Sequence, residues 1–112
     1  MLNSTVILFV LAAVTGLMIL IKWLTKKEAS RAVVYTHGLF AAAGLSMLSY
    51  YSIQHPEHFP NTSLILFLTA ALAGFYMFFQ DLRKKSSPVA LALIHALVAV
   101  TAFTLLLAFV FF

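Results

Sequence analysis

Cysteine is absent from this 112-residue chain. That excludes disulfides, thiolate metal sites, iron–sulfur clusters and covalently attached c-type haem, so any metal or cofactor has to be held by His, Met, Tyr or carboxylate. Acidic side chains are nearly as scarce: Glu28, Glu57 and Asp81 stand against seven Lys and Arg. None of the three falls inside a long apolar run, which leaves proton-coupled export through a buried carboxylate without a carrier. No Ser-His-Asp set, P-loop or HExxH helix is recognisable, so hydrolysis and nucleotide chemistry have no machinery to work with. Alternation with a period of two is also missing, which argues against a closed β-barrel.

What the chain has instead is apolar length. It is 63% hydrophobic and only 9% charged, too little polar surface to cover a soluble globule. Four apolar runs, about Thr5–Leu24, Ala32–Tyr51, Ser63–Phe79 and Val89–Phe111, each approach the ~20 residues that cross a bilayer as a helix. The expected fold is an all-α integral-membrane four-helix bundle, a single domain over residues 1–112. All seven basic residues lie on one side of this layout: Lys22, Lys26, Lys27 and Arg31 at the first connection, Arg83, Lys84 and Lys85 at the third. The positive-inside rule then makes both Lys/Arg loops cytoplasmic and puts the two termini and the 52–62 loop outside, as expected of a protein of the bacterial cytoplasmic membrane. Orientation accounts for the net charge of +4, and nucleic acid is not an expected partner. The first run has its charges after the apolar stretch, not before, so it reads as a retained span and not as a signal peptide.

Residues 3–54 laid over 61–112 without a gap give fifteen identities, among them Phe9/Phe67, Ala12/Ala70, Gly16/Gly74, Lys26/Lys84, His37/His95, Ala41/Ala99 and Leu48/Leu106. Chance in so biased a composition would match roughly a tenth of the pairs. The excess predicts two tandem two-helix repeats, 3–54 and 61–112. Both copies would enter the membrane with the same orientation, placing His37 and His95 at one depth, nearer the basic loops.

A histidine inside a span is costly and marks a functional site by default. In an up-and-down bundle the second and fourth helices lie on a diagonal, ~12–14 Å apart if neighbours are ~8–10 Å apart. That gap suits two imidazoles with one iron between them. Ala41 and Gly44, and equally Ala99 and Ala102, follow their histidine by four and seven residues on the same face, leaving it clear for a flat porphyrin. Gly16 and Gly74 are expected to give further room beside the histidines. Phe40, Leu45, Val98 and Phe103 would wall the rim, and Lys22, Lys26, Arg31, Arg83 or Lys84 would pair with propionates. Two other readings stay open. Each histidine serves as packing glue, bonded to a backbone carbonyl or to Thr36, Ser46, Thr101 or Thr104, or each ligates its own pigment or haem with Met18, Met47 or Met77 as a second ligand.

Smaller signals follow from residue type. Asn3-Ser4-Thr5 and Asn61-Thr62-Ser63 are expected to cap the first and third helices, and Ser86-Ser87-Pro88 to open the fourth with proline at its first helical position. Ala12 with Gly16, and Ala70 with Gly74, make small-xxx-small stripes for close helix approach. Trp23, Tyr50 and Tyr51 are rim anchors. The loop histidines His55 and His58 with Glu57 read as a solvated loop, with weak divalent-metal capture as the sharper alternative.

The arrangement resembles integral-membrane b-type cytochromes, in which histidines on spanning helices hold haem. The resemblance implies haem b as cofactor, His37 and His95 as iron ligands, and single-electron transfer between a quinol or partner protein and another redox centre, alone or as an oxidoreductase subunit. The expected partners are membrane lipid, a quinone and other subunits of a membrane complex. The competing expectation is an accessory structural subunit of a larger respiratory or photosynthetic complex.

Overall fold

A computed structural model describes residues 1–85 and 88–112. It contains four helices, α1 (Leu2–Leu24), α2 (Arg31–Gln54), α3 (Asn61–Leu82) and α4 (Val89–Phe111). The three prolines, Pro56, Pro60 and Pro88, all fall outside them, so no spanning segment loses a backbone hydrogen bond to a ring. All four are long and apolar enough to cross a membrane. Asp81 lies in the last turn of α3, at the basic end, not mid-span.

The helices form a bundle 44 Å long and 23 by 22 Å across. Packing is densest within the α1–α2 and α3–α4 hairpins and looser where the hairpins meet, at α1–α4 and α2–α3. Across the diagonals no Cα of α2 comes within 8 Å of one on α4, nor α1 of α3. Leu39, Leu72 and Leu97 are each about two-thirds exposed or more (69%, 72% and 67%) on the outside of the bundle, an apolar surface that hydrocarbon tolerates and water does not.

Both basic turns are built alike. Lys26 and Lys84 take the left-handed conformation at φ 58°. Lys26 N–H donates to the Trp23 carbonyl and Lys27 N–H to that of Lys22, while Lys84 N–H donates to Asp81 and Lys85 N–H to Gln80. Each set is the paired bonding of a Schellman termination, with lysine where glycine is usual. The opposite ends differ from expectation. The N-cap residues are Met1 and Pro60, without side-chain caps. Thr5 Oγ1 instead donates back to the Met1 carbonyl, and Ser63 Oγ crosses to the Ala102 carbonyl on α4 at 2.7 Å. Buried inside apolar helices, these hydroxyls take the nearest carbonyl in place of the first-turn amides. Pro88 is the N-cap of α4, one position before the helix, and Ser86 and Ser87 lie outside the described residues.

The inward face of α1 carries Thr5, Phe9, Ala12 and Ile19, and that of α3 carries Ser63, Phe67, Ala70 and Met77, the 3–4 spacing of a helix stripe. Phe9 and Phe67 stack across the α1–α3 diagonal with centroids 4.0 Å apart and planes within 3°. Leu48, Ala102 and Leu106 complete this core at 0% exposure. It occupies the half of the bundle away from the basic turns, which leaves the histidine layer in the other half.

Candidate functional site: two imidazoles facing across the bundle

His37 on α2 and His95 on α4 are both half-buried. Each reaches sideways to the other helix of its own hairpin: Nδ1–H of His37 donates to the Ala12 carbonyl at 2.8 Å, and Nδ1–H of His95 to the Ala70 carbonyl at 2.8 Å. A carbonyl oxygen only accepts, so Nδ1 carries the proton and Nε2 keeps its lone pair. Thr15 Oγ1, which donates to the Leu11 and Ala12 carbonyls, also lies 3.5 Å from His37 Nδ1. No hydrogen-bond partner for either Nε2 is found among the described residues, and neither atom is sealed off, since no fully buried side-chain nitrogen or oxygen there lacks a partner.

The rings sit 6.3 Å apart between centroids with their planes at 78°. An imidazole nitrogen binds a metal at about 2 Å, so two rings on one ion have centroids about 6 Å apart. The centroid separation equals that of two rings on one ion, and it is equally that of an edge-to-face aromatic pair. The packing-glue reading accounts for Nδ1 alone, through backbone carbonyls and not through Thr36, Ser46, Thr101 or Thr104. The stripes that seat the rings are the small residues of α1 and α3. A Cβ added to Gly16 would stand 2.9 Å from His37 Cε1, and one at Gly74 3.2 Å from His95 Cε1. These glycines make room for the imidazoles themselves.

Of the small residues on the histidine faces, Ala41 and Ala99 are half-buried one turn away. Gly44 and Ala102 are already covered: a Cβ on Gly44 would come 3.1 Å from the Phe9 ring, and Ala102 belongs to the apolar core. The Phe9–Phe67 stack thus bounds the histidine layer at one end. Met18 is exposed at 48% and Met77 is buried in the α3 stripe. Among the described residues no group of three or more His, Asp and Glu converges. In the loop, His55 stacks on Tyr51 at 4.2 Å and its Nδ1–H donates to the Tyr51 carbonyl at 3.1 Å, while His58 lies against Phe109 at 4.7 Å. The two rings are engaged with different helices.

Sequence reasoning allowed a backbone carbonyl as the partner of each histidine but did not single out those of Ala12 and Ala70. The available signal was the Ala-xxx-Gly stripe, which bares helix backbone to a neighbour. Comparisons with protein-family models, with curated proteins and with solved structures find no match.

Proposed function

We propose that the chain is a small membrane b-type cytochrome, in which His37 and His95 hold one haem b through Nε2 and single electrons pass between a membrane quinol, or a partner protein, and another redox centre. The observation that supports this reading most is the pair of half-buried imidazoles 6.3 Å apart, each with its Nδ1–H committed to a backbone carbonyl. Haem b held there by His37 and His95 would supply one-electron iron chemistry, the chemistry of electron transfer.

The protein's own contribution is orientation. The Ala12 and Ala70 carbonyls hold each ring in one tautomer and make its free nitrogen a better donor. Gly16 and Gly74 let the rings lie against the neighbouring helix, and the Phe9–Phe67 stack closes the site towards the far end. Lys22, Lys26, Arg31, Arg83 and Lys84 are exposed at the basic end, about two turns beyond the glycines, and are the candidates to pair with propionates.

A duplicated two-helix unit is the economical origin of this site. Matching support comes from the two histidine–carbonyl bonds, the two Schellman turns at Lys26 and Lys84, and Phe9 meeting Phe67. The clustering of basic residues supports an orientation with both Lys/Arg turns cytoplasmic and the 52–62 loop outside, in a bacterial cytoplasmic membrane.

The test is a dithionite-reduced minus oxidised absorption spectrum of the purified protein. Low-spin b-type bands are expected. A colourless protein that co-purifies with a large complex would contradict the proposal and favour an accessory subunit.

A further inference from the structure

Between α2 and α3, where the two hairpins pack loosely, a groove of about 690 Å³ runs from the histidine layer towards the far end of the bundle, lined by Leu45, Ser46, Ser49, Tyr50, Leu68 and Phe75 among others. Its volume is in the range of small-molecule sites. Phe75, at the inner end, follows Gly74, the residue that touches the His95 ring.

Apart from Ser4 and Thr62 in the first turns of α1 and α3, which also lack a side-chain bond, the groove hydroxyls of exposed Ser46 and half-buried Ser49 differ from the other Ser and Thr of the helices. Thr15, Thr36, Ser52, Thr69, Thr101 and Thr104 each donate to the carbonyl four residues back, and Ser63 crosses to Ala102. Ser46 and Ser49 have no such bond among the described residues, although carbonyls stand equally near them in α2. In hydrocarbon an unpartnered hydroxyl is costly. Three residues apart, the two lie on one face of the helix about 5–6 Å from each other, with the Tyr50 ring beside them.

We propose that this groove binds a lipid-soluble quinone, a flat neutral ring with polar oxygens on opposite edges and an apolar tail, and that Ser46 and Ser49 donate hydrogen bonds to its head group. The lining contains no Lys, Arg, Asp or Glu, so a charged phospholipid head group finds no counter-ion. Ser46 also lies eight residues, about 12 Å, inside the end of α2, below the depth at which ordinary head groups sit. The apolar side chains of Leu45 and Leu68 accept the ring faces and tail, and Phe75 carries the groove to the layer of the histidines. This assignment deepens the cytochrome reading by giving its quinol partner a site, while its test is binding and does not depend on iron.

Decylubiquinone is titrated into the full chain in nanodiscs, with binding followed by calorimetry and haem content by absorption in the same samples. Saturable binding to wild type is expected, weakened at least about tenfold by Ser46→Ala combined with Ser49→Ala and lost in Leu68→Trp, which fills the groove. Thr101→Ala, an exposed hydroxyl on α4, serves as control and should bind as wild type does. Absence of saturable binding, or equal affinity in wild type, the double variant and Leu68→Trp, would overturn the assignment whatever the haem content. Groove-dependent binding to protein without haem would support it while removing the cytochrome reading.

Discussion

An imidazole pinned through one nitrogen and open at the other is a directional ligand, and at the residue scale everything turns on how firmly it is pinned. His37 is held by the Ala12 carbonyl and lies so close over Gly16 that an added methyl would stand 2.9 Å from Cε1, against 3.2 Å at the Gly74–His95 pair. The ring cannot retreat without giving up its 2.8 Å bond. Gly16→Ala is therefore expected to cost about 1–3 kcal/mol through overpacking and to lower haem occupancy, with Gly74→Ala markedly milder. Haem per chain and thermal unfolding in detergent check this, and equal effects at the two glycines would contradict it. Ser63 offers a second residue-scale test. Its bond to the Ala102 carbonyl is fully buried, so Ser63→Ala is expected to destabilise by about 0.6–2 kcal/mol, read as a lower unfolding midpoint.

At the scale of the element, both basic turns carry a cost that the chain has not removed. Lysine at φ 58° crowds its Cβ against the backbone, and glycine does not. Lys26→Gly and Lys84→Gly should each stabilise by about 0.5–1 kcal/mol, measured as a raised unfolding midpoint, whereas Lys27→Gly should not. The helices themselves were legible in the sequence, because apolar runs near twenty residues with charges and prolines at their ends leave little choice of boundary. Their ends were less so. Thr5 and Ser63 look like capping residues but spend their hydroxyls on carbonyls, a decision made by burial, which a single sequence does not display. Spacing likewise identified which residues share the histidine face of α2. It did not reveal that Phe9, from α1, fills the space over Gly44, because spacing describes one helix and not what stands opposite. That Ser46 and Ser49 make no side-chain bond among the described residues was hidden for the same reason: nothing in their local sequence separates them from Thr101 and Thr104.

At the scale of the whole molecule, two tightly packed hairpins meet along looser seams, with an apolar core in one half and the imidazole pair in the other. The absence of cysteine makes orientation directly testable. Glu28→Cys and Glu57→Cys, each introduced singly, should react with an impermeant maleimide only from opposite sides, Glu28→Cys from the cytoplasm and Glu57→Cys from outside. Labelling of both from one side would reverse or break the proposed topology. The central claim, however, is that one haem is shared by two helices, and counting haem tests it most directly. Pyridine haemochrome assay of purified wild type, His37→Ala and His95→Ala, at matched protein concentration, should give one haem per chain in wild type and essentially none in either variant. Two haems in wild type with one left in each variant, or an unchanged haem content in both, would contradict it.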